Sequence, residues 1–255
     1  MPIDALKDQR CRGIFLKWRD HLTEETPRTA DYAWTVLARM MSWAHDRRII
    51  SDNPCKGGGR VYQGSRAEII WTDDDIGRFY EAAPAHLCLA MTLALWTVQR
   101  QGDLLTLPWS AYDGTSIRLT QSKTKARVLV PVAASLREAL DATEKRGPLI
   151  LTNLKGRPWT SDGFRTSWAK ACAKAEITGL TFHDLRGTTI TKLAGVGCTH
   201  SEISAITGHK HADITSILEK HYLASDPELG KSAIRKLEEG TKSPNQAPNW
   251  PKRSL

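Results

Sequence analysis

Apolar residues return at helical spacing in the first quarter of the chain. Ile14, Phe15, Trp18 and Leu22 form one set, and Tyr32, Val36, Leu37, Met40, Met41 and Ala44 a second. Steps of three and four put each set on one helix face, so two helices are predicted with the break at Pro27. Asp52-Asn53-Pro54 ends the second stretch. Gly57-Gly58-Gly59, flanked by Lys56 and Arg60, reads as a flexible linker. A boundary is therefore expected near residues 56–66. The resulting division is a helical domain over 1–60, a linker over 61–68, a second domain over 69–238 and a disordered tail over 239–255 that holds Pro244, Pro248 and Pro251.

In the second part, Thr72 followed by Asp73-Asp74-Asp75 marks a helix start, with acidic residues at the positive end of the helix dipole. A strongly apolar helix is predicted from about Leu87 to Val98, then a short one from Gly102 to Leu107. The period then changes. Ile117 and Leu119 alternate with polar residues, and Val128 and Val130 do so again beyond a polar turn at Ser122-Lys123-Thr124-Lys125. That pattern predicts one small antiparallel hairpin. Helices resume after Pro131, one of them with Phe164, Trp168 and Cys172 on its face. Another is expected from His183 to Ala194, and Thr199-x-x-Glu202 is a capping box for the next, which stops at Gly208. A last helix carries Ile214, Ile217, Leu218 and Tyr222. The fold class expected is mainly α with a small antiparallel sheet (α+β).

Charge changes the picture more than composition does. The formal net charge is +8, which favours a polyanionic partner. The excess is spread along the chain without an unbroken Lys or Arg tail, so folded surfaces must make any such contact. Five cysteines, an odd number without C-x-x-C spacing, point to reduced thiols and a cytoplasmic setting. The longest apolar run, Leu87 to Val98, is shorter than the roughly 20 residues a bilayer span requires, so no membrane association is expected.

Several polar residues are candidates for chemistry, and each has a plainer alternative. His183 and Arg186, three apart, project from one helix face, where a guanidinium clamps an anionic oxygen and an imidazole moves a proton. Alone, they equally fit a capping histidine and a surface arginine. His209, after Gly208 and before a helix, is placed to donate to a phosphate, or is an ordinary turn residue. Tyr222 lies on the apolar stripe of the last helix, as a core tyrosine or as a nucleophile that needs cationic neighbours or a base. Arg100 follows the most apolar helix, and Asp103 is spaced to orient it. Lys123 at the hairpin tip is a common turn residue or a mobile acid that enters a DNA groove, with Lys125 and Arg127 beside it for phosphate contacts.

Taken in order, Arg100, Lys123 on a hairpin, His183-x-x-Arg186, Gly208-His209 and Tyr222 resemble the tyrosine recombinase, or phage integrase, pattern of Arg, Lys, His-x-x-Arg, His/Trp and Tyr. Phe182-His183-Asp184-Leu185-Arg186 and Thr207-Gly208-His209 are close to the family's wording, and the match covers roughly residues 66–225. There are departures. Tyr222 follows His209 about one helical turn later than is common in the family. Gln99 replaces the residue usual before the first arginine, and Gly187 stands where a second histidine is common. None removes a chemical group.

The resemblance implies a site-specific recombinase catalytic fold, preceded here by a short helical core-DNA-binding domain that is truncated relative to the family. Tyr222 would attack the scissile phosphate to give a 3′-phosphotyrosyl link. Arg100 and Arg186 would clamp the oxygens, Lys123 would protonate the leaving 5′-oxygen, His183 would exchange a proton and His209 would hydrogen-bond the phosphate. No metal, ATP or other cofactor is implied. The implied partner is double-stranded DNA, bound by a homotetramer on two sites, with room for an accessory DNA-bending protein. Two alternatives share much of this chemistry: type IB topoisomerase-like strand cleavage, and a DNA-binding protein of the same fold without turnover.

Overall fold

The structure is a computed structural model that describes residues 5–6, 8, 10–64, 66, 69–221, 231 and 235. The chain divides into two compact units, Met1–Ser65 and Arg66–Leu255.

In the first unit, α1 (Cys11–Glu25) and α2 (Pro27–Asp46) form a helical pair around Trp34, Met41, Ile50 and Cys55. Pro27 opens α2, where a missing N–H costs nothing because that donor has no intrahelical partner. Only part of each predicted stripe is buried. Ile14, Trp18, Tyr32, Val36 and Met40 are exposed, since two helices cover only one flank of each other. Within the glycine run, Gly58 is held against the first unit, while Gly57 and Gly59 face open space. Arg19 Nη1 donates to Gly58 O at 2.5 Å, and a Cβ on Gly58 would meet the Trp34 indole at 2.1 Å. Glycine is needed there because the backbone lies against a ring. Asp31 then accepts from the Val61 and Tyr62 amides at 2.9 and 3.0 Å.

The second unit contains eight helices among the described residues: α3 (Asp73–Ala82), α4 (Ala85–Thr97), α5 (Gln101–Leu105), α6 (Ala134–Asp141), α7 (Ser161–Lys174), α8 (Asp184–Gly195), α9 (His200–Thr207) and α10 (His211–His221). The strands β1 (Ser116–Thr120) and β2 (Arg127–Pro131) pair antiparallel, with Ile117 opposite Val130 and Leu119 opposite Val128. The mainly α fold with one small antiparallel sheet is thus the observed one. Capping boxes form at Thr72–Asp75 and Thr199–Glu202, each satisfying amides that the first turn leaves unpaired.

Helix α4 is apolar on every side, and Leu87, Ala90, Met91, Leu93 and Ala94 are buried in the main core. A helix of that kind must be surrounded, and it serves as the central post of the unit. Beside it an aromatic cluster locks α3 to α7. Phe79 lies 4.3 Å from Trp168 between ring centroids, and Trp168 lies 4.7 Å from Phe182. Burial of a ring such as Phe79 contributes roughly 2–3 kcal/mol. A second, smaller core of Val98, Ile190, Ile203, Ile214 and Leu218 packs α8, α9 and α10 together at the end of α4. The main core therefore holds the helix that leads to Arg100, and the smaller one holds the helices around Arg186 and His209. Among the described residues no helix is long and apolar enough to cross a membrane.

Candidate active site

Helix α4 stops at Val98, which adopts left-handed φ 56°, a costly conformation for a β-branched residue. Its side chain is buried in the smaller core, while its carbonyl accepts from Arg186 Nη1 at 2.5 Å. The turn also releases Gln99 and Arg100 from the helix. Arg100 becomes the residue preceding α5, and its Nη1 donates to Gln121 Oε1 at 3.0 Å. Asp103, in the first turn of α5, lies 4.0 Å from Arg100 Nη1 and accepts from the Ser122 amide at 2.8 Å. Asp103 thus joins the arginine to the start of the hairpin turn that carries Lys123.

Arg186 projects from the first turn of α8 and is almost wholly buried. Its guanidinium bridges two chain segments: Nη1 to Val98 O, and Nη2 to Thr207 O at 2.8 Å. Nη2 also lies 3.2 and 3.1 Å from the two ring nitrogens of His209. Arg186 Nε is buried without a hydrogen-bond partner among the described residues. Burial, then the charge of Arg100, lowers the Arg186 pKa to about 10, so it stays cationic at neutral pH. Burial and the same two arginines push His209 down to about 4, which leaves its ring neutral.

His183 is exposed at the start of α8, yet the surrounding protein and then the charges of Arg186, Arg100 and Lys123 hold its pKa below the usual histidine range. Its neighbour Asp184 faces inward and anchors the segment. It accepts from Arg66 Nη2 at 2.5 Å and from both the amide and hydroxyl of Thr181 at 2.7 Å. Those bonds outweigh the effect of burial and hold its carboxyl below the ordinary value.

The structure thus brings Arg100, His183, Arg186 and His209 together, with Asp103 behind Arg100 and Lys123 close enough for its charge to reach His183. Lys125 and Arg127 are exposed along the hairpin beyond Lys123, and Lys125 takes φ 57° to close the turn. Tyr222 lies outside the described residues; α10, which leads to it, reaches His221.

Two glutamines not anticipated from the sequence as site residues lie beneath these groups. Gln99 and Gln121 are buried and hydrogen-bonded to each other at 2.7 Å. One sign of this is present in the sequence: Ile117, Leu119 and Gln121 continue one period-two face, so Gln121 is a polar side chain at an inward position.

Two guanidiniums and two imidazoles thus meet in one mainly helical unit beside a hairpin, an arrangement complementary in charge to an anion. Residues 70–227 match the model of the phage integrase family, and the chain belongs to that family. The integrase of Mycobacterium phage D29 is 26% identical over 84% of this chain and 64% of its own length. The integrase of Enterobacteria phage 434 is 31% identical over 73% of this chain and 56% of its own. The chain therefore spans less than two thirds of either relative. Among solved structures, a lambda integrase dimer bound to a core site superposes with TM-score 0.74 at 21% identity, over 84% of this chain and 82% of that one. The Tn1549 transposon integrase with a circular intermediate DNA gives TM-score 0.71 at 17% identity, over 93% and 87%. At 21% and 17% identity these are likenesses of fold.

Proposed function

We propose that this protein is a site-specific DNA recombinase that cuts and rejoins duplex DNA through a 3′-phosphotyrosyl intermediate on Tyr222. The observation that carries the reading is the convergence of Arg100 and Arg186 on His183 and His209, beside a hairpin that presents Lys123. Two guanidiniums in one partly desolvated place suit a pentacovalent phosphorane, whose equatorial oxygens gain charge as the nucleophile arrives.

In the proposed reaction the Tyr222 hydroxyl oxygen attacks the scissile phosphorus. The bond from phosphorus to the 5′-oxygen breaks, and Lys123 supplies the proton that the departing oxygen takes up. His183, neutral at pH 7, accepts the tyrosine proton, and the neutral ring of His209 donates a hydrogen bond to a non-bridging oxygen. Rejoining runs the steps backward, with a 5′-hydroxyl attacking the phosphotyrosine. The guanidiniums supply the charge neutralisation and the phosphotyrosine keeps the bond energy, so the scheme calls for neither metal nor ATP. The exposed Lys125 and Arg127 would follow the DNA backbone. The front helical unit would contact the duplex as a core-binding domain, and four subunits on two DNA sites would complete the exchange. An accessory bending protein is compatible with that assembly.

The test is trapping on a nicked suicide duplex drawn from DNA flanking the gene, with the parent and Tyr222→Phe compared on a denaturing gel. A covalent band in the parent that is absent from Tyr222→Phe is expected. A band that persists in the variant would move the nucleophile elsewhere.

A further inference from the structure

Gln121 stands out because its carboxamide is fully buried and yet fully used. Nε2 donates to Gln99 Oε1 and to Thr207 O, each at 2.7 Å. Oε1 accepts from Arg100 Nη1 at 3.0 Å and from Thr124 Oγ1 at 2.6 Å. A carboxamide offers two donors and two lone pairs, and all four are taken. The amide orientation is settled by its partners. Turned over, it would aim N–H groups at a guanidinium and its oxygen at the Thr207 carbonyl. The main chain of Gln121 closes the turn as well, its amide bonding to Ala126 O and its carbonyl accepting from the Lys125 amide, both at 2.9 Å. Lys123 sits inside that closed loop.

The opposite wall is shaped to match. A Cβ on Gly208 would come within 2.8 Å of Gln121 Nε2, so glycine before His209 allows the turn to close over the amide. Gln99 fixes the base of the network by donating to Thr97 O at 2.7 Å and to Ile206 O at 2.8 Å. One side chain thus touches the first arginine, the turn of the lysine and the carbonyl two residues before the histidine. An apolar residue of the same size would fill the space without making any of these connections.

From this we infer that Gln121 is a positioning residue for the strand-cleavage reaction: its carboxamide registers the Lys123 turn and Arg100 against the Thr207–His209 turn. The inference rests on the proposed function above. Its chemical consequence is specific. When phosphorus separates from the 5′-oxygen, that oxygen must receive a proton, and a misregistered Lys123 cannot deliver it. When sulfur replaces the bridging 5′-oxygen, the leaving group departs as a thiolate and needs no proton, because a thiol's pKa of about 8.5 lies far below an alcohol's. A defect in positioning Lys123 should therefore disappear on the sulfur substrate. A general loss of folding should not.

The experiment uses the full chain and two suicide duplexes, alike except for oxygen or sulfur at the bridging position, with single-turnover formation of the covalent complex as the readout. Thr124→Val removes the side-chain link between Gln121 and the exposed turn and leaves the core untouched. It should slow cleavage of the oxygen substrate by about three- to tenfold, the net worth of one hydrogen bond. The sulfur substrate should be cut at the parent's rate, and Thr124→Ser should restore the oxygen rate. Gln121→Met should lose about 100-fold on oxygen, from several hydrogen bonds at once, and regain most but not all of it on sulfur, since Arg100 is also released. Equal losses on both substrates, or parent-like rates for Thr124→Val on oxygen, would overturn the inference while leaving the recombinase reading in place. The parent's own covalent band separates the two questions. Its absence on both substrates removes the reading and the inference together.

Discussion

Replacing each site arginine with lysine keeps one positive charge in place, and the two exchanges should separate stability from activity. Arg186 bridges Val98 O and Thr207 O from one planar fork, in a position that is only 6% exposed. A lysine ammonium on its own stem can meet one of those carbonyls and leaves the other buried without a donor. With the loss of a charge-assisted bond, Arg186→Lys should cost about 2–4 kcal/mol. For a unit of this size that is a fall in melting temperature of about 4–16 °C. Among the described residues the Arg100 side chain makes one hydrogen bond, to Gln121, and its approach to Asp103 is a long 4.0 Å, with the side chain 21% exposed. Arg100→Lys should therefore cost less than about 1.5 kcal/mol. Both variants should lose roughly 10²–10³-fold in the rate of covalent complex formation, as expected when one charge-stabilising group is misplaced. Thermal denaturation of each variant, alongside single-turnover cleavage, checks the separation. Equal melting losses for the two, or an Arg186→Lys protein as stable as the parent, would refute the bridging role given to Arg186.

Two further outcomes follow from the same geometry. His209 has a folded pKa of about 4 against 6.5 for a free histidine, so the stability tied to its neutral ring is complete above pH 6.5 and is lost as the pH falls toward 4; His209→Gln should flatten the fall in unfolding midpoint over that window, and an NMR titration of His209 with a midpoint near 6.5 would contradict the burial described. Gly208 combines φ 65° with its close approach to Gln121, so Gly208→Ala should destabilise by about 1–3 kcal/mol in a denaturant titration and slow cleavage; a variant as stable as the parent would mean that the turn has slack.

Much of the fold was legible because the responsible forces are local. The capping boxes at Thr72 and Thr199 are short-range hydrogen bonds, and the hairpin register follows from alternation of Ile117 and Leu119 against Val128 and Val130. The order of Arg100, Lys123, His183, Arg186 and His209 could be read for the same reason, since each has a recognisable neighbour in the chain. What could not be read is long-range. The bond from Gln121 to Thr207 spans 86 residues and that from Gln99 to Ile206 spans 107, and no periodicity announces either. The left-handed turn at Val98 is hidden because a β-branched residue is the last that propensity would place there. Glycine signals both flexibility and close packing, and at Gly58 it is Trp34 and Arg19, distant in sequence, that make it the second. Tyr222 follows His221 in the sequence and lies outside the described residues.

The most direct measurement on the central claim is a peptide map of the trapped protein–DNA complex after nuclease and trypsin treatment. Cleavage after Lys220 and Lys231 releases a peptide from His221 to Lys231 in which Tyr222 is the single tyrosine. The residual nucleotide mass is expected on that peptide, on Tyr222, through the 3′-phosphate of the cut strand. Nucleotide mass on any other residue, or a link through a 5′-phosphate, would contradict the claim.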